Sequence, residues 1–370
     1  MAYTADISAV LISGQVKYFS EKGYNVHIIT KLGDRTKALV EKEGGKAHNV
    51  DFEREISFFK DIKSLFSSIR LLSQIKPTIV NAGTPKASLL VILAAWLIRV
   101  PKRIYTCRGF RFETEEGFKR KVLQGLEKLC GIFAHKIICI SPSLRDLAVS
   151  EGIFDASKSV VIGKGSSNGI NLERFSTSKL DLYKLDAIAN QYHVKSEHFT
   201  IGFAGRLHPD KGINELLAAY DVLKKKHKQL QMLLVGGLES EVIKQELDRR
   251  VNDDDLVYIG FQKSIEYFIA QFDVLVLPSY REGFGNVLIQ AAALGVPTIT
   301  NDVTGCRDAV KNNFNGFIVQ SKNVDALVKK IDLLIENQSL REEMAKNGVE
   351  FSKSFDSTNI WMGLEELYLK

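Results

Sequence analysis

The fold of this chain is predicted most directly by the stretch Pro278 to Thr300, PSYREGFGNVLIQAAALGVPTIT. It follows the apolar run 272–277, which predicts a short buried strand. A glycine-rich turn at 282–286 comes next, then a helix of small and apolar residues over 287–294, and then a second buried strand at 297–300. Strand, glycine turn, helix and strand make one βαβ unit of a parallel sheet.

The glycine turn has the chemistry of an anion-binding site. A helix N-terminus presents unpaired N–H groups and a partial positive charge, and Gly283 and Gly285 let a ligand approach the main chain closely. Such a turn at the carboxyl end of a parallel strand is typical of diphosphate binding. Glu282 stands just before it, where its carboxylate can accept hydrogen bonds from sugar hydroxyls. Gln290 follows eight positions later, close to two helical turns, which predicts that it shares a face with Glu282.

A second motif with the same chemistry lies upstream. The apolar run 199–204 predicts a strand, and GRLHPDKG follows it at 205–212. Gly205 permits a close approach, while Arg206 and Lys211 supply two cations. Two cations beside a helix N-terminus form a diphosphate clamp that needs no metal ion.

These two motifs closely resemble those of the retaining glycosyltransferases of GT-B fold in the large family 4. In that family the first Glu of a Glu-x7-Glu region contacts the donor sugar, the glycine turn binds the diphosphate, and the second Glu holds the ribose. The resemblance implies catalytic roles for Glu282, Arg206 and Lys211, and it places Gln290 where the second Glu is expected. A glutamine can bond ribose hydroxyls as donor or acceptor, but it carries no charge.

The resemblance also implies which residues hold a UDP-sugar. In the family, two further strand ends flank the nucleotide base, and here they carry Gly236 and Phe261. The predicted donor site consists of Gly205, Gly236, Phe261, Gly283, Phe284, Gly285, Asn286, Val287 and Gln290. We interpret Asp253-Asp254-Asp255 as a solvated turn and not as a metal-binding Asp-x-Asp motif. We therefore expect no metal ion and no cofactor besides the UDP-sugar substrate.

The first half of the chain carries the predicted acceptor site. TPKAS at 84–88 and TCRG at 106–109 each lie at the end of a predicted strand. Together they resemble the capsular-polysaccharide and O-antigen branch of the family, whose members act on polyprenyl-diphosphate-linked sugars. The acceptor-binding residues that this resemblance implies are Thr84, Lys86, Arg108, Gly109 and Arg111. Lys86 opposes the dipole of the helix that it begins, which favours an anionic partner, although a solvated lysine is the alternative.

The segment 102–121 is basic and carries aromatic residues. Seven basic residues stand against three acidic ones, with Phe110, Phe112 and Phe118 among them. Exposed aromatics on a basic surface are typical of contact with an anionic membrane surface, and a solvated helix face is the alternative. We expect a cytoplasmic protein, peripherally associated with the inner face of the cytoplasmic membrane.

Two other apolar segments are interpreted as core. The run 87–100 is shorter than the ~18 residues that a spanning helix needs, so it predicts a buried helix. The amphipathic stretch 58–76 has an apolar stripe of Ile62, Leu65, Phe66, Ile69 and Leu72, which we expect to be buried.

Composition limits the class of protein. With 370 residues, 45% of them hydrophobic and 25% charged, the chain is long enough for two globular domains. The net charge of +6 favours anionic partners such as sugar nucleotides and lipid diphosphates. Without a nucleic-acid-binding motif, we expect no nucleic-acid partner. The four cysteines form no CxxC pair, which predicts reduced thiols in the cytoplasm.

The sequence therefore predicts an α/β protein of GT-B architecture, with two Rossmann-like doubly wound domains facing each other across a cleft. Residues 1–175 are the predicted acceptor-binding domain, 176–350 the nucleotide-sugar-binding domain, and 351–370 a helix that packs back on the first domain. The first helix is predicted at about residues 10–22. The resemblance implies that a strand precedes this helix. The sequence shows no such strand, and we expect it to be missing.

The predicted reaction is the transfer of a sugar from a UDP-sugar to a polyprenyl-diphosphate-linked saccharide, with retention of the anomeric configuration. Two alternatives stay open. A UDP-sugar 2-epimerase has the same fold, but it needs no acceptor motifs and no basic aromatic surface. A catalytically degenerate scaffold subunit that binds sugar nucleotides agrees with Gln290 and the missing strand, whereas the intact Arg206, Lys211 and Glu282 argue against it.

Overall fold

The computed structural model describes residue 9 and residues 11–52, 58–250 and 253–370, and the side chains of residues 58, 85 and 86 lie outside its described part. The chain divides into two compact units. Unit 1 comprises Met1–Asn168 and Thr358–Lys370, and unit 2 comprises Gly169–Ser357. The boundaries predicted at 175 and 350 fall close to these divisions.

The described strands of unit 1 are all parallel and form two sheets. They are β1 His27–Thr30, β2 Lys46–Asn49, β3 Ile79–Ala82, β4 Lys102–Cys107, β5 Lys136–Cys139 and β6 Ser159–Val160. β1 pairs with β2, and the second sheet has the order β3-β4-β5-β6. β2 is not predicted from the sequence, because its four residues, KAHN, are half-exposed or exposed and show no apolar run. The prediction of a missing first strand concerns residues 1–8, which lie outside the described residues.

Crossover helices connect these strands. The helices of this part of unit 1 are α1 Gln15–Glu21, α2 Asp34–Glu43, α3 Phe58–Ile75, α4 Pro85–Leu97, α5 Gly117–Phe133 and α6 Pro142–Ser150. α3, α4 and α5 lead from β2 to β3, from β3 to β4 and from β4 to β5. α4 and α5 connect successive strands of one sheet in the same direction, and because such connections are right-handed, both helices lie on one face of it. α3 packs on α4, and α4 packs on α5. No helix among the described residues is both long enough and apolar enough to cross a bilayer.

Unit 2 contains a single parallel sheet of six described strands. They are β7 Phe199–Ala204, β8 Leu230–Val235, β9 Leu256–Gly260, β10 Val274–Leu277, β11 Thr298–Asn301 and β12 Gly316–Val319. Their order is β12-β11-β10-β7-β8-β9. The chain begins at the central strand β7, runs to one edge and returns through β10 to the other, as in a Rossmann-like doubly wound sheet. The strand order therefore reverses between β7 and β10, whose carboxyl ends carry the two predicted diphosphate motifs.

The remaining helices confirm the predicted α/β fold. They are α7 Leu182–Gln191, α8 Ile213–Lys226, α9 Glu241–Asp248, α10 Glu266–Ile269, α11 Asn286–Ala293, α12 Val324–Glu336, α13 Gln338–Ser352 and α14 Ser357–Leu369. From Thr358 onward α14 belongs to unit 1. Its Leu364 and Tyr368 are buried together with Val16 and Phe19 of α1.

Two predictions about exposure are wrong. Phe110 and Phe112 are not surface aromatics, because both are fully buried and their ring centroids lie 4.6 Å apart in a stack. The stripe of α3 is not core along its length, because Phe66 is 66% exposed and Ile62 is 38% exposed, while Leu72 is buried. An amphipathic pattern identifies the apolar face of a helix, but it does not determine whether a neighbour covers that face.

Phe19 is the centre of the α1–α14 packing. Its side chain is fully buried, and its ring centroid lies 5.3 Å from those of Tyr18, Tyr24 and Tyr368. We expect Phe19→Ala to lower the free energy of unfolding by about 3–5 kcal/mol, since it removes a buried ring and leaves a cavity. Urea unfolding followed by tryptophan fluorescence measures this change in unit 1.

The matched control for this substitution is Phe118→Ala. The ring of Phe118 is 82% exposed, so its removal is expected to change the free energy of unfolding by less than about 0.5 kcal/mol. Equal losses in the two variants would contradict the packing described for α1 and α14.

A buried acid lies beside β4. Glu127 of α5 is buried, and the hydroxyl of Tyr105 donates a hydrogen bond to its Oε2 at 2.7 Å. Burial disfavours the carboxylate and raises the pKa of Glu127 from 4.5 to about 7, although the hydrogen bond from Tyr105 lowers it. Between these two values the folded protein holds a proton that the unfolded chain has lost. Stability therefore falls as the pH rises through this window.

Glu127→Gln removes this titration while keeping an oxygen for Tyr105. We expect the free energy of unfolding of the wild type to fall relative to the variant by about 2–3 kcal/mol between about pH 4 and pH 8. Urea unfolding of both proteins across this range tests the prediction. A difference that does not change with pH would show that Glu127 has the same pKa in the folded and unfolded chain.

Candidate active site

Loops from three strands meet at the carboxyl edge of the unit 2 sheet. Gly205 and Arg206 follow β7, Gly236 follows β8, and residues 278–285 connect β10 to α11. β7 is hydrogen-bonded to both β8 and β10. Because the carboxyl ends of parallel neighbours lie at one edge of the sheet, motifs that are far apart in sequence come together at the switch point.

A main-chain contact between Gly205 and Gly236 shapes this edge. Gly236 has a φ of 147°, and a Cβ on it would lie 1.7 Å from the carbonyl oxygen of Gly205. The N–H of Gly236 donates to the carbonyl oxygen of Gly260 at 2.9 Å. Both the conformation and the space therefore require glycine at position 236.

A cavity of about 320 Å³ opens at this edge. Its walls include seven predicted donor-site or catalytic residues, Gly205, Arg206, Gly236, Phe261, Asn286, Val287 and Gln290. They also include five residues that sequence analysis missed, Ala204, Val235, Gly237, Gln262 and Ile265. The signal for Gln262 and Ile265 is their position just after β9, beside Phe261. The ring of Phe261 is 67% exposed, and it offers a face on which a nucleobase can stack.

Lys211 and Glu282 form an ion pair beside the glycine turn. Nζ of Lys211 lies 2.6 Å from Oε1 of Glu282, and the two side chains are only 12% and 20% exposed. Gly212 makes this approach feasible: its φ is 69°, and a Cβ on it would lie 2.0 Å from the carbonyl oxygen of Pro278. The loop after β7 and the loop after β10 therefore touch through their main chains, which brings the lysine to the carboxylate.

The second predicted cation is held differently. Nη1 of Arg206 lies 2.6 Å from Oε2 of Glu239, and about half of each side chain is exposed to solvent. Ion pairs in solvent contribute little to stability, so an incoming anion can compete for Arg206. Sequence analysis missed Glu239, although it follows the Gly236-Gly237 pair at the end of β8.

Gly305 packs against the main chain of the glycine turn, a role that is not predicted from the sequence. Its φ is 75°, and a Cβ on it would lie 2.6 Å from the carbonyl oxygens of both Glu282 and Gly283. Its carbonyl oxygen accepts a hydrogen bond from the N–H of Gly285 at 3.4 Å. The N–H of Glu282 donates to the carbonyl oxygen of Thr304 at 3.3 Å. The segment around Gly305 thus fixes the conformation of the turn.

These hydrogen bonds limit which main-chain N–H groups of the glycine turn can donate to a ligand. The N–H of Gly285 is used by Gly305, and that of Asn286 donates to the carbonyl oxygen of Phe284 at 2.9 Å. The N–H of Val287 lies in the first turn of α11, where a helix offers no acceptor. The ring of Phe284 is buried 5.5 Å from that of Phe355, so Phe284 can reach a ligand only through its main chain.

The helical spacing assumed between Glu282 and Gln290 does not hold. α11 begins at Asn286, so Glu282 precedes the helix and helical spacing does not apply to it. Glu282 contacts Lys211, whereas Gln290 lies on the helix and lines the cavity together with Arg206.

Cys306 lies next to this ion pair but has no nucleophilic character. Its side chain is fully buried. Burial raises the pKa of its thiol, and the nearby Glu282 raises it further. A thiol in such surroundings stays protonated and unreactive.

In unit 1, Arg108 ties together loops at the carboxyl edge of the β3–β6 sheet. Its Nη1 donates to the carbonyl oxygen of Gly83 at 2.5 Å, and its Nε donates to Oγ of Ser167 at 2.7 Å. Gly109 follows with a φ of 119°, a conformation that favours glycine. The predicted acceptor residues Arg108 and Gly109 are thus placed beside the end of β3.

The other predicted acceptor residues lie nearby along the chain. Thr84 precedes α4, and its N–H donates to Oγ of Ser88 at 2.8 Å. Arg111 is exposed and begins a short 3-10 helix. The side chain of Lys86 lies outside the described part of the chain.

Among the described residues, one cluster has the spacing of metal ligands, His227, Asp332 and Glu336. Nζ of Lys226 lies 2.8 Å from Asp332 and 2.6 Å from Glu336, so an ammonium group already neutralises both carboxylates. None of these residues belongs to the predicted site. Independence from metal stays a prediction.

The fold and the site define a class, the GT-B glycosyltransferases. The structure superposes with a TM-score of 0.83 on the solved structure of HepE from Anabaena in complex with UDP-glucose, at 19% identity and over 100% of this chain and 99% of that one. Residues 1–141 match the family described as "Glycosyl transferase 4-like", and residues 186–351 match "Glycosyl transferases group 1".

The curated relatives identify the family. The chain is 39% identical over 369 residues, 99% of its length and 95% of the other, to the capsular polysaccharide biosynthesis glycosyltransferase CapM of Staphylococcus aureus. It is 30% identical, over 80% of its length and 75% of the other, to the UDP-Gal:alpha-D-GlcNAc-diphosphoundecaprenol alpha-1,3-galactosyltransferase of Escherichia coli. This chain belongs to that glycosyltransferase family and is a glycosyltransferase.

The glycine contact at the end of β8 generates a test of the site. We expect Gly236→Ala to weaken UDP binding by about tenfold or more, because its Cβ would displace the main chain of Gly205. Gly125→Ala is the control, since Gly125 lies on α5 in unit 1, outside this cavity, and a Cβ there meets no atom within 4 Å. It should change the Kd by less than about threefold. Calorimetric titration with UDP measures the Kd of each variant. Similar Kd values for both variants would contradict the assigned site.

Proposed function

We propose that this glycosyltransferase moves a sugar from a UDP-sugar to a polyprenyl-diphosphate-linked saccharide in the synthesis of a bacterial capsule, O-antigen or exopolysaccharide. The observation that carries the proposal is the Lys211–Glu282 pair beside the glycine turn at the switch point, in a chain 39% identical to a capsular polysaccharide glycosyltransferase. A second relative is named for a UDP-sugar donor and a diphosphoundecaprenol acceptor.

The cavity in unit 2 supports a binding mode for the donor. The exposed ring of Phe261 and the main chain at Gly236 would contact the uracil base. Gln290, on the cavity wall, would bond the ribose hydroxyls. Arg206 and the N–H of Val287 would bind the diphosphate, and Lys211 would reach it from the side of the glycine turn.

The chemistry requires stabilisation of the leaving group. When the bond between the sugar and the phosphate breaks, negative charge develops on the departing UDP. Arg206 and Lys211 would neutralise it, which is the role that a metal ion has in other enzymes. We therefore propose a metal-independent reaction without a further cofactor.

Retention of configuration is proposed through attack on the face that UDP leaves. The phosphate oxygen then accepts the proton of the acceptor hydroxyl, so no carboxylate base is needed. Glu282 would orient the donor hexose or N-acetylhexosamine by accepting hydrogen bonds from its hydroxyls. The ammonium of Lys211, 2.6 Å away, holds the Glu282 carboxylate in place for this task.

The acceptor is proposed to bind unit 1. Arg108 is fixed by Gly83 and Ser167, and it would hold the loops that receive the acceptor diphosphate. Thr84, Lys86, Gly109 and Arg111 would complete the contacts. Because a polyprenyl carrier lies in a membrane, we propose that the protein works peripherally at the inner face of the cytoplasmic membrane.

Three substitutions test the assigned roles. We expect Lys211→Met and Arg206→Ala to lower kcat by about 10²–10³-fold, because each removes charge that stabilises the departing UDP. Glu282→Gln should also lower kcat, since it weakens the hydrogen bonds that orient the donor sugar. The measurement is UDP release from a panel of UDP-sugars, with and without a membrane extract that contains polyprenyl-diphosphate saccharides.

Arg249→Ala is the matched control for Arg206→Ala. Arg249 also forms an exposed pair with a glutamate, 2.5 Å from Glu246, but it lies outside the site. Its rate should equal that of the wild type. UDP release without an acceptor, together with an isomerised sugar, would show an epimerase. UDP binding without turnover under any condition would show a scaffold subunit.

A further inference from the structure

Helix α4 lacks a polar face. Its sequence, PKASLLVILAAWL, is apolar on all sides beyond its first residues, as is usual for a helix buried in a core. One side does pack on the sheet, where Val91, Ile92 and Ala95 are fully buried. The opposite side reaches solvent, because Trp96 is 45% exposed and Leu97 is 50% exposed. The C-terminal end of this helix therefore carries apolar side chains that are about half exposed.

The helices on either side continue this apolar surface. On α5, Phe118, Val122, Leu129 and Ile132 are all exposed. Their spacing of four, seven and three places them on one stripe of the helix. The ring of Trp96 lies 5.0 Å from that of Phe133 at the end of this helix. The apolar faces of α4 and α5 are therefore contiguous.

α3 extends the surface on the other side of α4. Ile62 and Phe66 are exposed at a spacing of four, which places them on one stripe of the helix. The outer faces of α3, α4 and α5, which we name the three-helix surface, thus join three apolar stripes. Contiguous apolar patches of this kind are uncommon on proteins that remain free in water, and they mark interaction sites.

The charges around the three-helix surface are mostly positive, although Glu115 pairs with Lys119 at 2.7 Å and Glu151 pairs with Arg120 at 2.6 Å. α3, α4 and α5 carry three, one and four Lys and Arg residues, against a single acid on α3, Asp61, and a single acid on α5, Glu127. Glu127 is buried, and Asp61 is half-buried. Lys63, Lys119 and Lys128 are exposed beside the apolar stripes. The surface thus combines exposed apolar rings with positive charge.

We propose that the three-helix surface is a docking site for an anionic lipid bilayer. Exposed Phe, Trp and Leu side chains would enter the interface between head groups and acyl chains, while the flanking lysines would contact acidic head groups. A second copy of this chain is disfavoured as the occupant, because it would bring positive charge against positive charge. The proposal rests on the proposed function in one respect, namely that a lipid-carried acceptor requires the enzyme at a membrane.

The test is flotation of the purified full-length protein with lipid vesicles. We expect the wild type to float with vesicles of equal parts phosphatidylcholine and phosphatidylglycerol, and much less with phosphatidylcholine alone. Binding should weaken at high salt, since part of the attraction is electrostatic. Failure of the wild type to float with the anionic vesicles would overturn the proposal, whatever its catalytic activity.

A double variant, Phe66→Ser with Phe118→Ser, locates the contact. Both rings are mostly exposed, at 66% and 82%, so their loss leaves the packing of α3 and α5 intact. We expect the fraction bound to vesicles to fall by about tenfold or more, since each ring contributes apolar burial at the interface. The matched control is Leu182→Ser with Tyr183→Ser on α7 of unit 2, exposed at 67% and 90%, which should bind like the wild type. Equal loss in both variants would overturn the assignment to the three-helix surface.

Activity assays separate this proposal from the proposed function. With an acceptor embedded in vesicles, the Phe66/Phe118 variant should lose turnover in step with binding. With a short-chain, water-soluble diphosphate-linked saccharide, it should turn over at the wild-type rate. If the wild type uses neither acceptor, the proposed function fails. The flotation assay still shows whether the three-helix surface binds anionic vesicles. A wild-type dimer in light scattering that becomes a monomer in the variant would assign the surface to a second copy and overturn the proposal.

Discussion

The candidate site of unit 2 depends on two main-chain contacts at the point where the strand order reverses. A Cβ at Gly212 would lie 2.0 Å from the carbonyl oxygen of Pro278, and a Cβ at Gly236 would lie 1.7 Å from that of Gly205. Only residues without a side chain let the loops after β7, β8 and β10 approach this closely. The Lys211–Glu282 pair and the cavity beside Gln290 exist because of that approach.

The cations of the site differ in how they are held. Lys211 is mostly buried and bound to Glu282, while Arg206 is half-exposed and bound to Glu239. Breaking a buried pair costs more than breaking an exposed one, because a buried partner is left without hydration. In this arrangement Lys211 and Glu282 form a preorganised unit, whereas Arg206 is free to turn from its carboxylate towards a ligand anion. The site thus joins a fixed charge pair to an adaptable cation.

In unit 1, the apolar pattern of a segment does not predict which of its side chains are buried. Phe110 and Phe112 stand in a basic segment and are buried, while Phe66 stands in a regular amphipathic stripe and is exposed. A short 3-10 helix turns the first two rings inward, and no element of the described chain covers the outer faces of α3, α4 and α5. The three-helix surface is consequently apolar and positively charged at the same time, a combination that suits the interface of an anionic bilayer.

Local sequence patterns were enough to predict the α/β fold and the chemistry of the donor motifs. Alternating apolar runs and helical patterns predict β7, β10 and α11, and the glycines at 205, 236, 283 and 285 mark where a ligand can approach the main chain. These features follow from local periodicity and from the conformational freedom of glycine, both of which are properties of short segments.

The tertiary structure was needed to establish which side chains meet. It paired Lys211 with Glu282 and Arg206 with Glu239, and it placed Gly305 against the glycine turn. It also decided that the apolar faces of α3, α4 and α5 stay uncovered. Contacts between residues distant in sequence depend on strand order and on loop approach, and the pattern of a single segment does not encode either.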